Sequence, residues 1–429
     1  MMRPVAALQR ALAGSLARDA LGSFAVRMGG LILSAAQAMI TARLLGVAAY
    51  GAVSVAISAA QVAATLAVFG LGSLAIRELA RFRALAAEEE FSRLIRGATL
   101  LVLTTSAAAA LLMAGFGLFL DGAMGPVVAL GALSIVPLAL LMLGRGFAQG
   151  ASRVLASQIP ADILRPLLLI AGMCWLFLSA PTGEAEEFLL LFAGTVMLAA
   201  AVSLYPLLRR SGGRSAGPNG QWRGWLRQAA PFAGLTLMTG AFVELHMLLL
   251  GWLAGPEAVG LFQPVVRLGL LMALAMEVAN LGFAPRIAAL HATGQDDEIA
   301  WLTRRFTFAT LALTVALALA MSLGGEWLLS LFGSAFIAGA PLMWALAAAQ
   351  VGKAACGPQM TLASMRGEAG RATAAQAVGL VLSLALGAVL IPALDVWGAA
   401  VALGMAIVGP SLLLRLPHPG PREPLTKSA

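Results

Sequence analysis

Charged side chains are scarce in this sequence. Asp, Glu, Lys and Arg make up 11% of the 429 residues, whereas hydrophobic residues make up 60%. Soluble domains carry about 25% charged residues, and the mean hydropathy of this chain is +0.90. A soluble protein is therefore excluded, and the long apolar segments between the few charges predict a multi-pass membrane protein.

Cysteine and histidine are almost absent, with two and three residues respectively. Cys174 lies in an apolar segment and Cys356 near the end of another, far apart in the sequence, so we predict neither a disulfide nor a metal site. The sequence also lacks a Walker motif, zinc-ligand spacing and a nucleophile elbow. We therefore predict no metal, no cofactor and no catalytic residues.

Basic residues occupy alternate gaps between the apolar segments. Twenty-four of the 28 Lys and Arg residues lie in these gaps, and the intervening gaps carry acids such as Asp121, Glu186 and Glu326. Because Lys and Arg are retained in the cytoplasm during insertion, both termini are predicted to be cytoplasmic. The same topology accounts for the net charge of +8, so nucleic-acid binding is not predicted. The remaining four cations are Arg27, Arg43, Arg165 and Arg267.

The apolar segments number twelve, and each has about the 20 residues that a helix needs to cross a bilayer. They are predicted to be helices because lipid cannot satisfy the hydrogen bonds of an open backbone. The predicted spans are residues 22–44, 51–73, 97–119, 123–143, 157–179, 187–208, 228–251, 258–284, 305–324, 328–350, 373–393 and 396–416. Little of the chain is left for a soluble domain.

A polar stretch divides the spans into two sets of six. Its Ser, Gly, Pro and Asn residues are typical of a flexible linker. The predicted organisation is a cytoplasmic amphipathic lead-in (1–21), an N-terminal six-helix bundle (22–208), a cytoplasmic linker (209–227), a C-terminal six-helix bundle (228–416) and a cytoplasmic tail (417–429).

The two halves are related by a short internal repeat. At an offset of 209 residues, the octapeptide 44–51 matches the octapeptide 253–260 at four of eight positions, and Arg77 lies over Arg286. Both octapeptides form the predicted outward turn of the first hairpin in their half. Because each half has six helices, both start from the same side, which predicts parallel repeats about an axis along the membrane normal. This arrangement is typical of alternating-access transporters that bind substrate between the halves.

Three sets of residues, spread in order along the chain, resemble motifs of a known family. They are Ala42–Gly46 followed by Tyr50–Gly51; Leu331–Gly333 with Phe336, Ala340–Leu342 and Leu346; and Ile391–Pro392 followed by Gly398–Ala400. They are similar to the polysaccharide transporters of the multidrug/oligosaccharidyl-lipid/polysaccharide exporter superfamily, which include O-antigen flippases. The chain departs from the first-hairpin pattern at Val47–Ala49, where an acidic residue is often found, whereas Glu257 is present in the second half.

The resemblance implies twelve helices in two bundles around a V-shaped central cavity. It also implies that the protein flips an undecaprenyl-diphosphate-linked oligosaccharide from the cytoplasmic to the periplasmic leaflet of a bacterial inner membrane. The product serves the synthesis of O-antigen, capsule or exopolysaccharide. Expected partners are the lipid-linked oligosaccharide, the bilayer, and the polymerase and assembly proteins of such a system.

Charged residues inside the spans need a partner or a function, because each costs about 2.5–3.5 kcal/mol at mid-bilayer. Glu244 and Arg267 lie at similar depth on either side of the turn near Gly255. Either they form a structural ion pair, or Arg267 binds diphosphate with Glu244 as its counter-ion. Arg27 either extends to the interface or binds diphosphate with its planar guanidinium. Since related flippases carry arginines in their first and eighth spans, the resemblance favours substrate binding by Arg27 and Arg267.

Other charged residues of the spans have more local interpretations. Arg43, at the outward end of the first span, either guards the exit of the cavity or anchors its helix. Arg165 is predicted to pair with Asp162, three residues earlier on a helix and beside a kink at Pro166. Glu277, near the cytoplasmic end of the eighth span, faces either the cavity or another helix, and Glu244 and Glu277 are the candidates for coupling transport to protons.

Uncharged polar residues supply the other candidates. His246 is the only histidine within a span and is able to titrate near neutral pH. Residues two apart on a helix point about 200° away from each other, so Glu244 and His246 are not expected to face the same groove. Gln37, Gln61 and Gln263 are predicted to hydrogen-bond either sugars or neighbouring helices.

Three functions fit the sequence in different degrees. A lipid-linked oligosaccharide flippase accounts for the repeat, the arginines within the spans and the resemblance. A drug or organic-cation antiporter of the same superfamily is the main alternative, and it is expected to have an acidic or aromatic cavity. A membrane glycosyltransferase or polymerase is the second alternative. Such an enzyme needs a sizeable outward loop or a carboxylate cluster, which the short predicted outward gaps do not provide.

Overall fold

The computed structural model describes residues 3–120, 122–179, 184–210 and 222–416 of the chain, and every regular element in these ranges is helical. The helices are α1 (Arg3–Val68), α2 (Leu71–Ala84), α3 (Glu88–Phe119), α4 (Met124–Gly131), α5 (Ile135–Gly150), α6 (Val154–Gln158), α7 (Arg165–Ser179), α8 (Ala185–Arg210), α9 (Trp222–Gly240), α10 (Phe242–Ala254), α11 (Pro256–Met272), α12 (Leu274–Ala292), α13 (Asp296–Leu323), α14 (Gly325–Ser330), α15 (Ala340–Cys356), α16 (Gln359–Met365), α17 (Ala369–Leu394) and α18 (Val396–Arg415). A π-helical turn (Ile159–Leu164) and two 3₁₀ segments (Ala132–Ser134 and Ser334–Gly339) join some of them.

The helices follow the predicted spans in order. Nine helical segments of the described chain have the length and apolar character needed to cross a membrane, and the bent pair of α9 and α10 makes a tenth. The first segment holds two predicted spans, because Gly46 leaves the helical conformation (φ 72°, ψ 176°) in the middle of α1. Together α11 and α12 cover the predicted eighth span. The all-helical, polytopic fold is thus confirmed.

The ends of the predicted regions are only partly described. Helix α1 begins at Arg3, so the predicted lead-in and the first span form one helix. Residues 211–221 of the predicted linker and the whole predicted tail, 417–429, lie outside the described residues.

Two hydrophobic cores define two lobes. The first core is built by the second part of α1 together with α2 to α5, α7 and α8, with fully buried Leu71, Ile135 and Phe147. The second is built mainly by α10, α11, α15 and α18, with fully buried Phe262 and Phe332. Helix α1 contributes to both cores, because Ala38, Ala42, Tyr50 and Val55 belong to the second. The lobes therefore meet along α1.

The two octapeptide turns of the sequence repeat pack directly against each other between the lobes. A Cβ atom on Gly51 would overlap the carbonyl oxygen of Pro256, and a Cβ on Gly260 would overlap the carbonyl oxygen of Val47. Residues 51 and 260, and residues 47 and 256, are each separated by the 209 positions of the repeat. The contact therefore has two-fold pseudosymmetry. We call it the turn contact, and the end of the molecule where it lies the turn face.

The seventh span is bent rather than straight. Helices α9 and α10 meet at an angle of 61°, where Ala241 leaves the helical conformation after Gly240. As a result α9 leans onto the first lobe, where the Arg77 guanidinium donates a hydrogen bond to the side-chain oxygen of Gln228 at 2.9 Å. The backbone of α9 at Ala229 also lies against Gly70. One half of this span thus packs on each lobe.

Candidate functional site

A polar cavity lies between the lobes and consists of two chambers. The outer chamber has a volume of about 550 Å³ and the inner chamber about 280 Å³. Ser34 and Arg165 line both chambers, so they mark the junction between them. The inner chamber reaches Tyr50, next to Gly51 of the turn contact. The outer chamber extends in the opposite direction, towards Arg27.

The inner chamber is lined by the three glutamines predicted to be polar contacts. They come from different parts of the chain: Gln37 and Gln61 from the two halves of α1, and Gln263 from α11. The side-chain oxygens of Gln37 and Gln263 are buried without a hydrogen-bond partner among the described residues. The Gln61 amide donates only to the sulfur of Met142, at 3.9 Å. These amides are therefore available to a ligand with hydroxyl groups.

Glu244 and Arg267 both face the inner chamber, as their equal depth suggested. They form no ion pair within 4 Å in the described structure, although Arg267 attracts the Glu244 carboxylate electrostatically. The Arg267 guanidinium instead donates a hydrogen bond to the hydroxyl of Ser34 at 3.3 Å, and its Nε is buried without a partner among the described residues. The cation therefore has hydrogen-bonding capacity left for a ligand.

An ion pair between the lobes lies in the outer chamber. Arg27 of α1 donates to the carboxylate of Glu277 on α12 at 3.1 Å. Their side chains remain 63% and 55% exposed, so water screens the pair and it is weak. Glu277 therefore faces the cavity, which is one of the two orientations that the sequence left open. It also shows that Arg27 has a partner that an anionic ligand is able to replace.

A π-helical turn shapes the junction of the chambers. Pro166 has no backbone N–H and its ring clashes with the carbonyl of residue 162, so the regular α-helical hydrogen bond cannot form there. The chain widens into the π-helical turn Ile159–Leu164 immediately before this proline. Gly30 of α1 allows the turn to pack closely, because a Cβ there would lie 2.7 Å from the Asp162 carbonyl oxygen.

This turn corrects the predicted pairing of Asp162 with Arg165. Asp162 accepts a hydrogen bond from Arg145 at 3.0 Å instead, and Arg145 belongs to α5. The prediction assumed α-helical geometry, in which residues three apart are neighbours. In the π-helical turn the spacing differs, and Asp162 attracts Arg165 electrostatically but shares no hydrogen bond with it. Arg165 is left at the junction with its Nε buried and unpartnered among the described residues.

Two predicted site residues lie away from the chambers. Arg43 donates hydrogen bonds to the backbone carbonyls of Leu331 at 2.7 Å and Ser330 at 3.3 Å, where α14 ends in the second lobe. Of its two interpretations, this geometry favours the anchor. His246 is 2% exposed, and its Nδ1 donates to the carbonyl of Phe242 at 2.7 Å. It is not among the residues around the inner chamber, whereas Glu244 is.

Sequence reasoning missed several residues of the site. Arg145, Asp162 and Arg165 all line the outer chamber, although Arg145 was placed in a cytoplasmic gap. Small polar residues complete the inner chamber at helical spacing: Ser34, Gln37 and Thr41 on the first half of α1, and Ser54, Ser58 and Gln61 on the second. The sequence signal for these residues was available, because polar side chains recur every three or four residues on one face of otherwise apolar spans. In total, four arginines and three carboxylates line the two chambers.

The fold is that of known transporters. The structure described as the inward-facing conformation of a multidrug resistance MATE family transporter of the MOP superfamily has a TM-score of 0.70 and 12% identity, covering 92% of this chain and 96% of that one. An outward-facing structure with the same description has a TM-score of 0.58 and 13% identity, covering 92% of each chain. The structure of lipid II flippase MurJ in an inward closed conformation has a TM-score of 0.72 and 13% identity, covering 92% of this chain and 86% of that one.

The chain is thus a multi-pass membrane protein with the two-lobe fold of MOP-superfamily transporters. Residues 16–291 match the family described as polysaccharide biosynthesis protein. This match covers most of the chain, and the protein belongs to that family, which confirms the resemblance seen in its sequence. No curated protein matches the sequence.

Proposed function

We propose that the protein flips an undecaprenyl-diphosphate-linked oligosaccharide from the cytoplasmic to the periplasmic leaflet of a bacterial inner membrane. The observation that carries this proposal is the cavity between the lobes, where arginines lie beside unpartnered glutamine amides. Guanidinium groups match the oxygens of a diphosphate, and amides hydrogen-bond sugar hydroxyls. Membership of the polysaccharide biosynthesis family supports a glycan substrate. O-antigen, capsule and exopolysaccharide precursors share this chemistry.

The same geometry suggests a transport cycle by alternating access. The turn face is periplasmic in this proposal, as the distribution of Lys and Arg predicts, and both termini are cytoplasmic. The diphosphate binds to arginines of the outer chamber while the polyprenyl tail stays in lipid. The lobes then separate at the turn contact, while the Arg27–Glu277 pair, broken as the substrate enters, forms again. The product passes to polymerase and assembly proteins, and Glu244 and Glu277 are the candidates for coupling the cycle to protons.

Flipping in proteoliposomes tests this function. We expect a fluorescent undecaprenyl-diphosphate oligosaccharide to be flipped by the wild type, and about tenfold or more slowly by Arg27→Ala and Arg267→Ala, because each loses a charge-assisted hydrogen bond. Arg304→Ala, on the exposed side of α13, is the matched control and is expected to flip normally. Wild-type protein that moves no lipid-linked glycan would exclude the proposal.

The drug or organic-cation antiporter remains the main alternative, because its superfamily shares the fold. An excess of arginine over carboxylate in the cavity disfavours a cationic substrate. Export of organic cations by protein that fails to flip lipid-linked glycan would establish that alternative. The second alternative, a glycosyltransferase or polymerase, predicts growth of the glycan chain in the same vesicles, which product analysis detects.

Removing the carboxylate that pairs with Arg27 tests the role of the outer chamber. Glu277→Gln frees the guanidinium, and an exposed ion pair is worth about 0–1 kcal/mol. We therefore expect the apparent KM for lipid-linked substrate to fall by up to about fivefold. In an Arg27→Ala background, Glu277→Gln is expected to change little, which a double-mutant cycle measures. Equal effects in both backgrounds would show that the two residues act independently.

A further inference from the structure

Arg165 is the arginine of the cavity that has neither an ion pair within 4 Å nor a hydrogen bond among the described residues. Arg27 pairs with Glu277 and Arg145 pairs with Asp162. Arg267 is hydrogen-bonded to Ser34 and shares the inner chamber with Glu244. Arg165 makes neither an ion pair nor a hydrogen bond to any described residue, and its Nε is buried. The cavity has four arginines and three carboxylates, and the arginine without a hydrogen-bonded partner among the described residues lies at the junction of the chambers.

The local structure explains why this unpaired cation persists. A charge buried without compensation is costly, and breaking a buried pair by removing one partner costs several kcal/mol. Here Asp162, in the π-helical turn before Pro166, accepts its hydrogen bond from Arg145, and it attracts Arg165 electrostatically without a hydrogen bond. π-helical turns are frequently found at functional sites. The chain thus maintains a cation with a buried, unpartnered Nε at a position that faces a cavity.

The surroundings of Arg165 match an anionic group. It lines both chambers, and two cations, Arg267 and Arg145, repel it electrostatically whereas one carboxylate, Asp162, attracts it. Arg267 lies on α11 of the second lobe and Arg165 at the start of α7 of the first. Guanidinium groups thus line the inner chamber from both lobes and interact with each other electrostatically. An anion with several oxygens, placed between them, relieves the repulsion and hydrogen-bonds to both.

We propose that Arg165 and Arg267 clamp the diphosphate of the substrate at the junction, one from each lobe. This inference rests on the proposed function and extends it to a residue that the sequence assigned to a local ion pair. It orders the substrate along the cavity: the phosphates lie between the chambers, and the first sugar enters the inner chamber with its glutamines. Arg27 acts earlier, at the exposed mouth, and exchanges Glu277 for the phosphate as the lipid is loaded.

Binding of undecaprenyl diphosphate to purified protein in nanodiscs tests the clamp. Wild type is expected to bind it, and inorganic pyrophosphate is expected to compete. Arg165→Gln is expected to weaken binding by about ten- to a hundredfold, the loss of a charge-assisted hydrogen bond. Arg165→Lys keeps the charge but lacks the planar guanidinium, so its affinity is expected to lie between those of the wild type and Arg165→Gln. Arg304→Gln is the matched control.

Thermal unfolding separates a ligand site from a structural role. If Arg165 serves to bind an anion, Arg165→Gln removes a charge that has no hydrogen-bonded partner in the ligand-free protein. The Tm without ligand is then expected to stay the same or rise. The gain in Tm on adding undecaprenyl diphosphate then shrinks or disappears. A lower Tm without ligand together with an unchanged gain would overturn the inference.

The outcomes distinguish this inference from the proposed function. Wild type and Arg165→Gln that bind undecaprenyl diphosphate equally well would exclude the clamp and leave the flippase standing. Wild type that binds no diphosphate would exclude both. Binding of undecaprenyl diphosphate without competition by inorganic pyrophosphate would show recognition of the lipid chain, which also overturns the clamp.

Discussion

Gly51→Ala and Gly260→Ala are each expected to reduce transport by about tenfold or more, the largest effect that a single methyl group should have in this protein. The added Cβ overlaps a backbone carbonyl of the opposite turn, that of Pro256 or Val47. A backbone atom cannot rotate away as a side chain does. Alanine is also a better helix former than glycine, so the loss cannot come from weakening the helices. The lobes are instead prevented from closing at the turn face.

A matched control and a reporter make this prediction specific. Gly115→Ala changes a glycine whose Cβ would meet nothing within 4 Å, and it is expected to transport normally. Ser54 lines the inner chamber and serves as the reporter when replaced by cysteine in a Cys174→Ala, Cys356→Ala background. In spheroplasts we expect a membrane-impermeant maleimide to reach this cysteine faster in the Gly51→Ala and Gly260→Ala proteins.

The two halves of the turn contact also test its pseudosymmetry. Because the repeat relates Gly51 to Gly260, we expect the two alanine variants to have similar transport and labelling rates, and the double variant to add little. Wild-type transport by either single variant, with the reporter still protected, would show that this approach is not needed for the cycle. Loss of transport without faster labelling would also contradict the proposed opening.

Much of the fold was predictable because its signals are local. The scarcity of charge and the alternation of basic gaps define the spans directly, and the structure follows them in order. The repeat located both turns, but their contact joins residues 209 positions apart and depends on how the lobes pack. The bend after Gly240 was missed because isolated glycines are common in apolar spans. The bend becomes evident only in the structure, where α9 packs on the first lobe and α10 on the second.

The candidate site was predictable in part. Glu244, Arg267 and the three glutamines face one chamber, because polar residues in apolar spans have few other places to go. The Arg27–Glu277 pair joins residues 250 positions apart, which no local pattern predicts. The pairing of Arg165 with Asp162 was predicted from the spacing of an α-helix, whereas Asp162 is hydrogen-bonded to Arg145 of another helix. The kink at Pro166 was visible in the sequence, but the arginine that approaches Asp162 from α5 was not.

Pro166→Ala is therefore expected to reduce transport by about tenfold or more without weakening the fold. Alanine restores the backbone N–H, so residue 166 is able to donate to the carbonyl of Asp162 and the π-helical turn reverts towards an α-helix. Asp162 and Arg165 then become neighbours and pair. The unpaired cation is lost from the junction of the chambers, and with it about one charge-assisted hydrogen bond to the substrate.

The folded state should tolerate this change, because proline inside a helix costs about 3 kcal/mol relative to alanine. We expect equal or higher Tm for Pro166→Ala, measured together with flipping and with binding of undecaprenyl diphosphate. Pro206→Ala, inside α8 and exposed, is the matched control and is expected to flip normally. A lower Tm for Pro166→Ala would indicate that the turn is needed for folding rather than for the site.

A second substitution isolates the cause. In the Pro166→Ala background, Asp162→Asn removes the carboxylate that captures Arg165, so we expect substrate binding to recover in part. In the wild-type background the same Asp162→Asn leaves Arg145 without its partner and is expected to be neutral or harmful. The effect of Asp162→Asn on substrate binding is thus expected to change sign between the two backgrounds. The reason is that Pro166 favours the π-helical turn in which Asp162 is hydrogen-bonded to Arg145 and not to Arg165. Additive effects of the two substitutions would contradict it.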